Sequence, residues 1–516
     1  MIVTAIACAL LEVGGAFALL SDLHMLQQNS YFASRYFTWL GGNLTKYIGR
    51  VLFLAILIVC SFWEIPFLVA CTLYAVIEIP RWFSLRKKAI TPLVFTARVK
   101  RQIVTASLIL ACVGVGTVLW CSAFAYALIA LTTLTPFTAV LALWINAPIE
   151  AAVRRWYYCD AKRILRNHKP MTVIGITGSY GKTSTKYALA RLLDEKYNVC
   201  YTPGNFNTTL GVVRTIREHL KPTDDIFIVE MGAKKVGDIR EICDLVEPDL
   251  GIITSVGEQH LDTFKSLENI VRTKFELADA VNRKHGKIYL NMDCAPEAER
   301  APQYDFVGYG HGDCDVRITD GGSDRLGSSF ALTREGRILS LQTKLLGAHA
   351  IVNVAGAAAV AMDLGVSDRD LRFAVRQLAP VSHRLELKPY LKGSLLIDDA
   401  YNANPAGCLE AVRVLSAFEG YRKIIITPGL VELGEREYAC NAALGRAAMD
   451  ACDLIVFVGQ KRSEPLVAGA KESPKYYESR VHVVSAFREA VDLIAGSLDA
   501  STVVLLENDL PDNYSK

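Results

Sequence analysis

The stretch Thr177-Gly178-Ser179-Tyr180-Gly181-Lys182-Thr183-Ser184-Thr185 narrows the possible folds more than any other part of this chain. Ahead of it, Thr172 to Ile176 reads as a short buried strand. Behind it, Lys186 to Glu195 has helical periodicity through Ala188, Leu189, Leu192 and Leu193. Strand, glycine-rich turn and helix is the context of a phosphate-binding loop. The glycines let several N–H groups converge on one anion, and the helix N-terminus adds its partial positive charge. Gly178, Ser179, Gly181 and Ser184 would line the cradle, Lys182 would reach the terminal phosphates, and the Thr183 hydroxyl would hold Mg²⁺. Ile176 stands where the general motif has its first glycine. The plain alternative is an ordinary Gly-Ser turn, against which Gly-Lys-Thr in this context argues.

At 516 residues the chain holds more than one domain, and a net charge of +3 gives nucleic-acid binding no electrostatic support. The 51% hydrophobic content is concentrated in the first 150 residues, which points to membrane segments rather than one large core. Ile2 to Leu20 is apolar except for Glu12. Val51 to Ile79 makes one tilted span, or two short ones broken at Glu64-Ile65-Pro66. Ile103 to Ile145 makes two spans with a turn near Cys121 to Ala125. Basic residues crowd the connection from Arg81 to Arg101 and the stretch Arg154 to Lys169, which places both in the cytoplasm. The loop Ser21 to Arg50 carries Arg35, Lys46 and Arg50 against Asp22. Placed inside it gives five spans, the preferred count, and placed outside it gives four. The 13 cysteines are scattered without a C-x-x-C pair, as free thiols in a reducing compartment would be. The expected organisation is a transmembrane region over residues 1–150, a basic linker over 151–170, a nucleotide-binding domain over 171–385 and a C-terminal domain over 386–516.

From residue 171 on, short apolar strands (Ile226 to Val229, Leu250 to Ile253, Lys287 to Leu290) alternate with helical stretches, so the fold class is α/β with a mostly parallel sheet. Three constellations fall at or near strand ends, where such sheets place ligands. They are Gly204 to Gly211 with Asn205 and Asn207, Glu230-Met231-Gly232-Ala233, and Glu258 to Asp262 with His260, followed by Lys274-Phe275-Glu276. A carboxylate at Glu230, in the same sheet as the loop, suits a Mg²⁺ ligand. The series TGSYGKTST, GNFNTTLG, VEMGA, VGEQHLDTF and RTKFE, in this order, resembles the Mur ligase family, ATP-dependent ligases of peptidoglycan precursors. The resemblance implies that ATP phosphorylates a substrate carboxylate and that an amine attacks the acyl phosphate. It implies Thr183 and Glu230 at a first Mg²⁺, Glu230 and His260 at a second, and Lys274 as a carbamylated lysine beside it. Asn205 and Asn207 would shape the substrate loop.

The same resemblance extends to residue 510, roughly two thirds of the chain. Leu346 to Asn353 is similar to the G-x-H-N-x-x-N segment, with Ala350 for its first asparagine. It implies that Asn353 approaches the adenine. Arg384 matches the arginine that closes onto the γ-phosphate. Asp398-Asp399-Ala400-Tyr401-Asn402-Ala403-Asn404-Pro405 resembles D-D-S-Y-N-A-N-P, the form typical of the member that adds D-alanyl-D-alanine. It implies Asp399 at the ribose and Tyr401, Asn402 and Asn404 around the cleft of a Rossmann-like C-terminal domain. Asn404-Pro405 also suits a helix N-cap and first turn. Three departures cluster where the incoming amine would sit: Pro428-Gly429-Leu430 for Gly-Asp-Met, Asn441 for a histidine, and Glu507-Asn508-Asp509-Leu510 for Lys-Gly-Ser-Arg. The uridine-gripping N-terminal domain of the family has no room here. The expectation is a multi-pass membrane ligase with cytoplasmic catalytic domains, acting on a muramoyl peptide precursor and D-Ala-D-Ala. Its anchor would meet membrane lipid and lie beside wall-synthesis enzymes. A lipid-linked or other polymer substrate is the alternative, and a non-catalytic scaffold a third.

Overall fold

The computed structural model describes residues 2–89, 91–119, 122–257, 261–401, 403–431 and 433–509. They divide into two compact units, 2–156 and 157–509.

The first unit is helical. Four helices are long and apolar enough to cross a membrane: Ile2–Gln28, Glu64–Lys87, Ala97–Leu119 and Thr135–Arg166. The pair Ala33–Gly41 and Leu44–Cys60 bends by 87° and makes a fifth if taken as one span. The break expected at Glu64-Ile65-Pro66 falls one turn earlier. A helix ends at Cys60 and the next begins at Glu64, with Pro66 in its first turn, where a missing N–H costs nothing. The region expected as two spans is three helices, because Ser122–Thr133 is a separate 12-residue element. The stretch 151–170, expected as a linker, is helix as far as Arg166. Helices approach closely where side chains are small. A Cβ on Gly14 would lie 2.7 Å from the Tyr74 ring, and one on Gly15 2.7 Å from Thr132.

Two of the charges assigned to the Ser21–Arg50 loop are buried. Arg50 is 3% exposed and Asp22 fully buried. Arg50 Nη1 donates to Asp22 Oδ2 at 2.9 Å and Nη2 to Glu78 Oε2 at 3.0 Å. Tyr36 and Tyr47 hydroxyls donate to Asp22 Oδ1 at 2.9 and 2.6 Å, and Thr135 donates to Oδ2. Arg81 completes the neutralisation of Glu78 at 3.1 Å. A buried charge is tolerable only with such pairing. Arg50 and Asp22 therefore drop out of the orientation count, leaving Arg35 and Lys46.

The second unit holds two sheets. The first contains β1 Thr172–Thr177, β2 Val199–Tyr201, β3 Ile226–Glu230, β4 Leu250–Ile253, β5 Lys287–Asn291, β6 Phe306–Gly310, β7 Val316–Asp324, β8 Gly327–Arg334 and β9 Arg337–Thr343, in the order β2-β3-β1-β4-β5-β6-β7-β8-β9. Pairing is parallel through β7 and antiparallel between β7, β8 and β9. Alternate residues feed opposite cores. Ile174, Ile176, Ile226 and Ile228 pack on one face with Leu189, Leu192 and the alanines of helix Ala348–Asp363. Val173, Phe227 and Val229 pack on the other with Ile242 and Phe275. Burial on both faces is why these strands read as continuous apolar runs. The chain leaves β1 for β2 and β3 on one side and for β4 onward on the other, so the switch point lies at the C-terminal end of β1.

The second sheet contains β10 Glu386–Pro389, β11 Leu395–Asp399, β12 Arg422–Thr427, β13 Leu454–Val458, β14 Val481–Val484 and β15 Thr502–Glu507, in the order β10-β11-β15-β12-β13-β14. All neighbours are parallel except β10, which returns antiparallel to β11.

Candidate functional site

The glycine-rich turn follows β1 at the switch point. Gly178 has φ +147° and Gly181 φ +80°, conformations that L side chains rarely adopt. Gly181 caps helix Lys182–Leu193, which starts four residues earlier than the apolar periodicity indicates. The turn is pinned from below. Ser179 N–H donates to Ser255 O at 2.6 Å, and Ser179 Oγ donates to Gly257 O at 2.8 Å. Lys182 Nζ donates to Gly178 O and Ser179 O at 2.7 and 2.9 Å. Burial pushes the Lys182 ammonium down to about 8, with Arg384 adding to the fall and Glu230 opposing it. Ser184 lines the same cavity. Asn353, expected at the adenine, lies against Gly181, and its Oδ1 accepts from Thr185 Oγ1 at 3.3 Å.

Glu230 ends β3 beside the turn and is 1% exposed. Its Oε1 accepts from Thr183 Oγ1 at 3.2 Å and from Asn207 Nδ2 at 3.0 Å. Its Oε2 lies 2.9 Å from Lys186 Nζ, and Lys186 is fully buried. Burial raises the Glu230 carboxyl, but Lys186, Lys182 and Asn207 override it and hold the group below the ordinary carboxylate range. Lys186 also donates to Gly204 O at 2.6 Å, which ties the Gly204–Asn207 loop to the carboxylate. Sequence reasoning missed Lys186. The available signal was its spacing, since it stands three and seven residues before Leu189 and Leu193, on the helix face that enters the core.

Lys274, on helix Leu267–Asn282, is 3% exposed, and burial holds its ammonium well below the ordinary lysine value. Asn205 Nδ2 donates to the Tyr401 hydroxyl at 2.7 Å, linking the loop to the turn after β11. Asn404 caps helix Pro405–Ser416, its Oδ1 accepting from Gly407 N–H at 2.9 Å. His260 and Asn402 lie outside the described residues.

Arg384 stands between two left-handed residues, His383 (φ +62°) and Leu385 (φ +45°). Such backbone persists only where contacts over-determine it. Here Leu385 N–H donates to Asp399 Oδ1 at 3.1 Å, Tyr401 N–H to His383 O at 3.2 Å, and the His383 ring pairs with Asp398 at 2.9 Å. The Arg384 guanidinium lies 5.2 Å from the Tyr401 ring centroid. Of the departures, Asn441 is structural. It accepts from Leu430 N–H at 2.8 Å and donates to Leu430 O at 3.0 Å, holding the turn after β12.

Lys182, Thr183, Glu230, Asn205, Asn207, Asn353, Arg384, Asp399, Tyr401 and Asn404 line one cavity of about 1260 Å³. Lys274 is not among its lining residues. A phosphate-cradling turn at a switch point, a buried carboxylate beside its threonine and an arginine lining the same cavity define a nucleotide-handling α/β protein of the phosphate-loop class. Within that class, residues 176–361 match the Mur ligase middle domain and residues 383–507 the Mur ligase glutamate ligase domain. The UDP-N-acetylmuramoyl-tripeptide–D-alanyl-D-alanine ligase of Mycobacterium leprae is 30% identical over 65% of this chain and 71% of its own length. The Escherichia coli protein of the same name is 29% identical over 58% of this chain, which spans 66% of that relative. The MurF ligase of Thermotoga maritima, solved in complex with ADP, superposes with a TM-score of 0.62 at 25% identity, over 69% of this chain and 80% of that one. The chain belongs to the Mur ligase family.

Proposed function

We propose that the protein is an ATP-dependent amide ligase that adds D-alanyl-D-alanine to a muramoyl tripeptide of peptidoglycan synthesis. The observation that carries this is the cavity uniting Ser179 to Thr183, Glu230 and Arg384 with Asp399, Tyr401 and Asn404. The names of the relatives supply the substrates.

In this reading Lys182 leaves the loop carbonyls for the terminal phosphates of ATP, and Arg384 neutralises the transferring phosphoryl group. Thr183 and Glu230 offer hydroxyl and carboxylate oxygens, a hard donor set that suits Mg²⁺. The bound ion would supply charge neutralisation at the phosphates. Glu230 Oε1 already faces the Thr183 hydroxyl, so the fit needs no rearrangement of β3. A second ion would take Glu230, His260 and a carbamylated Lys274. Burial supports the modification, because an amine held neutral is the form that adds CO₂. Asn205, Asn207, Tyr401, Asn402 and Asn404 would shape the substrate cleft, and Asp399 would meet the ribose.

The four apolar helices make the protein a multi-pass membrane protein in this reading, with the ligase in the cytoplasm beside the basic connections. They would meet membrane lipid and hold the enzyme near the membrane enzymes that use its product. They also favour a second substrate form, a lipid-linked muramoyl tripeptide. The test is mass-spectrometric detection of the pentapeptide product from detergent-solubilised protein given ATP, Mg²⁺, D-Ala-D-Ala and either tripeptide form. Product with neither form, at a level above a Lys182→Ala blank, overturns the proposal.

A further inference from the structure

Helix Ala348–Asp363 carries Asn353 in its second turn, and Asn353 Oδ1 both touches Gly181 of the phosphate turn and accepts from Thr185. This helix has no cap of its own. Its N-cap residue is Gly347, at φ +89°, and its first turn holds no acid. The first N–H groups of a helix need acceptors from elsewhere. Gly347 N–H donates to Ser323 Oγ at 2.9 Å. Ala348 N–H donates to Glu410 Oε1 at 2.7 Å, and Glu410 stands 62 residues on, in helix Pro405–Ser416 of the C-terminal domain. A Cβ on Gly347 would lie 2.9 Å from the His349 ring and 3.2 Å from Glu410 Oε1, so the carboxylate fills the place of a capping side chain. Glu410 is 16% exposed. Arg413 grips it through Nε and Nη2, at 2.7 and 2.8 Å. Burial raises the Glu410 carboxyl, but Arg413 and the Ala348 N–H override it and hold the group below the ordinary carboxylate range. The charged form is the one that suits the positive end of a helix. Leu346, beside the cap, packs into the core of the second sheet with Ile397 and Cys408.

We infer that Glu410 is a positioning residue for the nucleotide: it caps helix Ala348–Asp363 from the C-terminal domain and so holds Asn353 against the phosphate turn. The inference rests on the reading of this cavity as a nucleotide site. Its sign separates it from simple electrostatics. Glu410 lines the cavity, and as a bare negative charge it repels an anionic ligand, so its removal would tighten ADP binding. As a cap it does the opposite, because a helix that loses its cap frays at the end that carries Asn353.

The experiment measures ADP binding with Mg²⁺ by the detergent-solubilised full chain, as wild type and as three variants. Glu410→Ala removes the acceptor. Glu410→Asp keeps the charge but shortens the reach. Glu410→Gln keeps the reach, and its amide oxygen still accepts the Ala348 N–H. Glu410→Ala and Glu410→Asp should each weaken ADP by about fivefold or more, the factor one lost helix cap supplies, while Glu410→Gln stays within about twofold of wild type. A merely structural role would lower the melting temperature of the variants without moving ADP affinity. ADP affinity that is unchanged or tightened in Glu410→Ala and Glu410→Asp, or as weak in Glu410→Gln as in Glu410→Ala, overturns the inference. Should Glu410→Ala not fold, the contrast between Glu410→Asp and Glu410→Gln decides it. A wild type that binds no ADP overturns the nucleotide reading and the inference together, whereas variants that match a wild type able to bind ADP overturn the inference alone.

Discussion

Lys186→Met is the perturbation whose size the structure fixes best. The Lys186 ammonium is fully buried, 2.9 Å from Glu230 Oε2, and the methionine fills nearly the same volume. The variant takes away the ion-pair partner of Glu230, a carboxylate that is 1% exposed. Removing one partner of such a pair costs about 3–5 kcal/mol. For the unit 157–509, at about 2.1 cal/mol/K of unfolding entropy per residue, that is a fall of roughly 4–7 °C in melting temperature. The measurement is thermal unfolding of the solubilised full chain in EDTA, then with Mg²⁺ and ADP. The deficit should be large in EDTA and shrink by at least half with Mg²⁺ and ADP, because a divalent ion at Thr183 and Glu230 replaces the lost positive charge. A melting point within about 2 °C of wild type in EDTA, against the several degrees expected, would refute the reasoning. So would a deficit indifferent to Mg²⁺.

Three other outcomes follow from burial. Lys274→Arg keeps a cation but cannot be carbamylated, so ligase turnover should fall by at least about 100-fold if that charge neutralises a transition state. Isotopically labelled bicarbonate should give a carbamate signal in the wild type that is missing in the variant. Glu297 is fully buried with both oxygens unpartnered, and burial pushes its carboxyl up to about 8. Its folded value exceeds the unfolded one, so its stabilising contribution is complete below about 4.5 and fades as pH rises to about 8, a loss of up to ~5 kcal/mol. Glu297→Gln should flatten that decline in pH-dependent unfolding. Arg50→Met strands Asp22 and leaves Glu78 with Arg81 alone, and should cost about 3–5 kcal/mol, read as a lowered melting point and faster proteolysis of the helical unit in detergent.

The legible parts of the fold were those whose side chains report burial directly. β1, β3, β4 and β5 are covered on both faces, so their apolar runs stand out from the sequence. β7, β8 and β9 alternate instead, as in Arg337 to Thr343, where Ser340 and Gln342 are exposed while Leu339 and Leu341 are buried. A search for continuous runs passes over them. Their hairpin carried its own signal in Glu335-Gly336, both at positive φ in a two-residue turn. The Gly-Lys-Thr turn and Glu230 were legible because local geometry places them at strand ends. Lys186 was not, because a lysine is read as solvated until its partner across the fold is known. The same assumption misplaced Arg50, whose partners Asp22 and Glu78 each lie 28 residues away. Asn441 and Glu507 were visible as departures, and only their neighbours separate a turn-holding amide from a carboxylate set in the cavity wall.

The most direct test of the central claim is phosphate release by the solubilised protein with ATP, Mg²⁺, a UDP-linked or lipid-linked muramoyl tripeptide and D-Ala-D-Ala, with each component omitted in turn. The account predicts release that requires both the tripeptide and the dipeptide and is abolished in Lys182→Ala. Release that is indifferent to both peptides, or that persists in Lys182→Ala, contradicts it.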